Sequence, residues 1–166
     1  MTEEQLQVLL DHCHADRDKA IIKFLWHSGL RVSEAATVRA KDFNWDEGTV
    51  IVLGKGNKYR KALAGDGTVH QWFSGHDSFG LTAEGIQTLF KILSRETGIR
   101  CSPHAVRRGF AVHLVKSGLS TRVVQSLGGW ESIAMVERYT KSLNFHDALQ
   151  VYRSVNNHEC QSGGQS

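Results

Sequence analysis

At 166 residues, with 40% hydrophobic side chains and no apolar run approaching the length of a membrane span, the chain has the size and composition of one soluble globular domain. Its 20 basic and 17 acidic side chains leave a formal charge of +3, a weak bias toward anionic partners that excludes a purely electrostatic nucleic-acid binder. Cys13, Cys101 and Cys160 are an odd set at wide spacings, which excludes a disulfide framework or a four-cysteine zinc site and predicts a reducing, cytoplasmic setting.

Thr2 and Gln5 form a capping-box pattern ahead of "LQVLLDHC", and "RDKAIIKFLWHSG" repeats apolar residues at helical spacing up to Gly29, so helices are predicted over 3–13 and 17–28. The "HCH" at 12–14 has metal-ligating residue types but no second ligand pair at a zinc-finger spacing, and no metal is expected. A short helix is predicted from Ser33 through "EAATVR". The pattern then changes, because "GTVIVLGKGNKYRKAL" sets β-branched residues before a Gly-Lys-Gly-Asn turn, predicting a hairpin with its tip near 54–58. The glycine-rich "AGDGTVHQWFSGHDSFG" lacks a clear period and is expected to hold a short strand or loop near 68–73. Thr82 caps a helix to about Thr97, ended by Gly98.

"SPHAVRRGF" supplies an N-cap, Ser102, and a proline at the first helical position, so a helix is predicted over 103–117 and closed by Gly118. His104 and Arg107 share a face at its start, where free backbone N–H groups and the helix dipole suit an anion such as a phosphate. Short helical patterns follow in "STRVVQSLGG", "ESIAMVERY" and "NFHDALQVYR", and a disordered tail is expected over 156–166. The expected fold class is therefore α+β and mostly helical, with one small antiparallel sheet inserted near the front.

Five segments, "SGLRVSE" (28–34), "LGKGNKYR" (53–60), "SPHAVRR" (102–108), "LGGW" (127–130) and "MVERYT" (135–140), occur in an order and spacing that resemble the tyrosine recombinases, the lambda-integrase-like enzymes, over about residues 2–152. The resemblance implies a compact helical bundle with a three-stranded antiparallel sheet, forming a catalytic domain over 1–155. It also implies an N-terminal DNA-clamping domain outside this chain, double-stranded DNA as partner, and four protomers assembling on two DNA sites in the full-length form. Neither cofactor nor membrane is implied. Carried over residue by residue, Arg31 and Arg107 would bind phosphate, Lys55 would be the hairpin lysine, and His104 the histidine of "H-x-x-R". Trp130 would occupy a site that is His in many members, Tyr139 would be the nucleophile, and Glu34 would orient its neighbours. Lys58, Arg60 and Arg108 would contact DNA. Position 108 is His in many members, and "YRKALAGDG" lacks the usual Val-Pro-Leu.

These residue types suit strand exchange. Attack on a phosphodiester builds negative charge at phosphorus, which rigid, permanently charged arginine forks stabilise in the transition state. A tyrosine hydroxyl, with an unperturbed pKa of about 10, needs help to become a nucleophile. His104 could act as base or donor, the indole N–H of Trp130 only as donor. The leaving 5′ oxygen needs a proton, which Lys55, or its competitor Lys58, could deliver. Removing Arg107 is expected to spare the fold. Two other expectations stay open: a type IB topoisomerase-like enzyme, and a DNA-binding module that does not cut.

Overall fold

The computed structural model describes residues 1–159, so the predicted disorder of 160–166 lies outside the described residues. Helix α1, Glu3–His12, begins at the predicted capping box, with the Thr2 backbone N donating to Gln5 Oε1 (3.0 Å) and the Gln5 backbone N donating to Thr2 Oγ1 (3.3 Å). Helix α2, Asp16–Ser28, carries buried residues on nearly every side, including Ile21, Ile22, Phe24 and Leu25. It is the central post of the fold, and each such side chain contributes about 1.5–3 kcal/mol by leaving water. Gly29 ends it with φ +61°, and α3, Val32–Thr37, follows directly.

After a single 3-10 turn at Ala40–Asp42 come strands β1 (Phe43–Asn44), β2 (Thr49–Leu53) and β3 (Tyr59–Leu63), paired antiparallel in that order. The pairs Val50↔Ala62 and Val52↔Arg60 lie on the inner face, whereas Ile51↔Lys61 and Leu53↔Tyr59 face outward. The pleat therefore turns Arg60 toward the body of the molecule.

The segment expected to be strand or loop near 68–73 is instead helix α4, Gly67–Gly75. Asp66 Oδ1 accepts from the backbone N of Thr68 (3.0 Å) and of Val69 (3.4 Å), and Val69 and Phe73 point one turn apart into the core. Flanking glycines hid a helix that its cap and two buried anchors sustain. Helices α5 (Ala83–Thr97) and α6 (Pro103–Lys116) start at the predicted caps Thr82 and Ser102. Helices α7 (Thr121–Gly128), α8 (Ile133–Thr140) and α9 (Phe145–Glu159) complete the described chain. Helix α9 runs four residues into the stretch expected to be disordered from 156, so that boundary is corrected.

The core has two parts. The larger surrounds α2 and takes in α1, α5 and the sheet; the smaller joins Phe110, Ala111, Val124, Trp130 and Val136, with Tyr139 packed against it. Helix α6 belongs to both, through Val106 in the larger and Phe110, one turn further on, in the smaller. Two of the "HCH" residues point back onto the helix: His12 Nδ1 lies 2.8 Å from the Val8 carbonyl oxygen, and the buried Cys13 thiol donates to that of Leu9. Burial pushes the Cys13 thiol up to about 11, against the thiolate that metal binding needs. No helix among the described residues is long and apolar enough to cross a membrane.

Candidate active site

Arg31 is the N-cap of α3, and Glu34 closes that turn by accepting from the Arg31 backbone N at 2.8 Å and from its Nη1 at 3.2 Å. Glu34 is buried, 2% exposed, and its carboxylate is shared: Arg60 Nη2 on β3 approaches Oε2 at 3.1 Å. The same Arg60 nitrogen donates to the Gly128 carbonyl at 3.2 Å. One carboxylate thus holds two guanidiniums from separate elements, and losing it would leave buried positive charge uncompensated. Arg60 was expected on DNA; its side chain instead folds inward as a brace between α3, β3 and the end of α7.

Arg107 projects from α6 and is 5% exposed. Its Nη1 donates to the Gly29 carbonyl, and its guanidinium carbon lies 4.3 Å from the centre of the Trp130 ring. Burial, then the neighbouring Arg31, pushes its pKa down to about 10, which leaves it a cation at neutral pH. Its Nη2 and the Trp130 Nε1 are buried without a hydrogen-bond partner among the described residues. Buried donors are ordinarily satisfied, so an arginine with an idle N–H is a candidate anion contact. Arg107, whose removal the sequence reading expects to spare the fold, ties α6 to the end of α2 and to the ring at 130.

His104 sits exposed in the first turn of α6, its ring edge-on to that of Tyr139 with centres 5.7 Å apart. Partial burial, then Arg108 and Arg107, hold its pKa below the ordinary histidine value, favouring a neutral imidazole that can accept a proton. Tyr139 on α8 is half-buried between His104 and Trp130, whose ring centre is 6.0 Å away, while the guanidinium carbon of Arg108 lies 5.7 Å from the phenol ring. Arg31, His104, Arg107 and Tyr139 line one cleft of about 230 Å³, joined by Met135. On the far side of His104 and Tyr139 a wider groove of about 590 Å³ adds Arg100, Arg108 and Lys116.

Trp130 is 4% exposed and packs against Phe110 beneath Arg107, inside the smaller core cluster. The preceding glycines explain how it fits. A Cβ at Gly128 would lie 1.9 Å from the Trp130 ring, and one at Gly129, where φ is +64°, would lie 2.4 Å from the Arg60 guanidinium carbon.

Lys55 and Lys58 are exposed at the hairpin tip and do not line the cleft. The tip turns through Gly56 and Asn57, at φ +74° and +59°, and is pinned by the Gly54 backbone N donating to the Lys58 carbonyl at 2.8 Å. Lys55 Nζ meets Glu131 Oε1 at 3.2 Å. Sequence reasoning missed Glu131, Met135 and the bracing role of Arg60. The sole signal for Glu131 was an acidic residue directly after the proposed site tryptophan, and no periodicity links 55 to 131.

The chain matches the Phage integrase family over residues 1–146. It is 34% identical over 167 aligned residues to tyrosine recombinase XerC of Vibrio cholerae serotype O1, covering 89% of this chain and 53% of that one. It is 31% identical to tyrosine recombinase XerD of Neisseria meningitidis serogroup B, covering 87% of this chain and 58% of the relative. The chain therefore spans about half the length of the curated relatives it matches. Among solved structures, XerA recombinase superposes with a TM-score of 0.76 at 23% identity, over 93% of this chain and 64% of that one. XerH site-specific recombinase, bound to a palindromic difH substrate in a post-cleavage complex, superposes at 0.71 and 21% identity, over 96% of this chain and 53% of its own. These likenesses carry the fold, a mostly helical domain with a small three-stranded antiparallel sheet. With most of its length matched by the family and a third of its residues shared with such relatives, the chain belongs to the phage integrase family of tyrosine recombinases.

Proposed function

We propose that the chain is the catalytic part of a site-specific DNA recombinase that cuts and rejoins strands through a 3′-phosphotyrosine on Tyr139. The observation that carries this reading is the convergence of Arg31, His104, Arg107 and Tyr139 on one cleft, from segments more than 100 residues apart. Arg31 and Arg107 grip the nonbridging oxygens of the scissile phosphate, Arg107 through the N–H that has no partner among the described residues. The Tyr139 oxygen attacks phosphorus as His104, neutral at working pH, takes the phenolic proton. The bond from phosphorus to the 5′ oxygen breaks, and Lys55 supplies the proton that oxygen needs. Rejoining runs the same steps backward with a 5′ hydroxyl as nucleophile, so the phosphodiester energy is conserved and neither nucleotide cofactor nor metal enters the scheme. Trp130 serves from below, as the surface on which the Arg107 guanidinium rests.

The partner is double-stranded DNA in the cytoplasm, approached over the hairpin tip, where Lys58 meets backbone phosphate, and over the groove beside Arg108. A DNA-clamping part beyond this chain, and assembly as a tetramer on two sites, complete the full-length form. The test is a nicked suicide substrate that traps a covalent adduct. The chain should form an adduct that Tyr139→Phe abolishes while still binding DNA. Binding without any adduct from the parent chain would instead make it a non-cutting DNA-binding module.

A further inference from the structure

The hairpin docks on the turn between α7 and α8 at two levels. Deep in the structure, Arg60 on β3 donates to the Gly128 carbonyl at 3.2 Å and grips the buried Glu34, an attachment only 22% exposed on the arginine side. At the rim, Lys55 pairs with Glu131 at 3.2 Å, with side chains 77% and 59% exposed. The inner contact is a pin and the outer one a releasable end, since an exposed ion pair is weak and trades readily with other ions. Glu131 directly follows Trp130, whose ring lies 4.3 Å from the Arg107 guanidinium carbon and 6.0 Å from the ring of Tyr139. Its backbone is therefore fixed relative to the cleft, while the tip beyond Gly54 is held by one backbone hydrogen bond across a left-handed turn.

We infer that Glu131 is a positioning residue for Lys55: it holds the hairpin lysine against the turn between α7 and α8, and it shares the ammonium group with the substrate once DNA is bound. The inference rests on the reading of Lys55 as the proton donor to the leaving 5′ oxygen. Of the two tip lysines it singles out Lys55, because Lys58 makes no ion pair among the described residues. Glu131 touches neither phosphorus nor the leaving oxygen, so its effect passes entirely through where Lys55 stands when the bond breaks.

The experiment compares single-turnover adduct formation on saturating suicide DNA with an ordinary 5′ oxygen at the scissile bond and with a bridging 5′ sulfur. A thiolate leaves without being protonated, so a defect in proton delivery disappears on the sulfur substrate. Lys55→Ala should be slow on oxygen and restored on sulfur. Glu131→Gln should follow the same pattern more mildly, about two- to fivefold slower on oxygen, the worth of an exposed ion pair, and unchanged on sulfur. Glu131→Asp should recover part of the loss, and a spin label at Asn57 should become more mobile in Glu131→Gln without DNA. Parent-like rates for Glu131→Gln on oxygen, or equal slowing on both substrates, overturn the inference while leaving Lys55 as the acid. If Lys55→Ala stays slow on sulfur, or the parent chain cuts neither substrate, the underlying reading fails and the inference falls with it.

Discussion

Arg107 illustrates how a side chain proposed for chemistry also becomes part of the frame. Its guanidinium lies on the Trp130 ring and one N–H is given to the Gly29 carbonyl. Arg107→Ala would leave that carbonyl without its donor and the indole without its cation, and should cost about 3 kcal/mol in urea unfolding. A variant as stable as the parent would confine the residue to substrate binding. From the sequence, the places of His104, Arg107 and Tyr139 on their helices were legible because cap, spacing and motif order set them. The inward turn of Arg60 was not, since an arginine at a hairpin base reads as a surface charge until the pleat sets it beside Val52 and a buried carboxylate meets it. Glu34 was expected to orient its neighbours, but that it serves two arginines depends on a contact with residue 60 that no local pattern encodes.

Among the elements, those with strong local signals were readable: the capping box of α1, the periodicity of α2, the caps of α5 and α6, and the Gly-Lys-Gly-Asn turn between β2 and β3. Helix α4 was not, because its stability comes from a partner. Asp66 caps it while reaching Lys23 Nζ at 3.3 Å and His27 Nε2 at 3.4 Å on α2, so the element is secured by tertiary contacts. Burial alone would raise the Asp66 carboxyl, but His27 and Lys23 hold it below the ordinary aspartate range. A carboxyl lowered by folding stabilises above its unfolded pKa of about 3.9, and that contribution is lost as pH falls through the folded value. Asp66→Ala should therefore cost about 1–2 kcal/mol near pH 7. Asp66→Asn keeps a competent cap and should differ from the parent only by a term that fades below about pH 4 in thermal unfolding. A difference constant with pH would show that the charge contributes nothing.

At the scale of the whole molecule, a modest net charge is spread over a fold in which several cations are already engaged by carboxylates, among them Arg31, Lys55 and Arg60. Only a few cations lie at the cleft and the hairpin tip, among them Arg31, Arg107 and Lys58, so DNA binding by this chain alone should weaken about 10- to 100-fold between 50 and 200 mM salt, as for three or so phosphate contacts. Fluorescence anisotropy on a labelled duplex checks this; a slope near zero would mean that the contacts are not ionic. The two-part core has a quieter consequence at its junction. The indole at 130 fills the room that any side chain at 128 would need, so these neighbours share a single allotment of volume. Neither can grow unless the other shrinks. Exchanging the indole for an imidazole would empty space below Arg107 that a methyl group at 128 is placed to reclaim, which couples the choice of residue at the two positions.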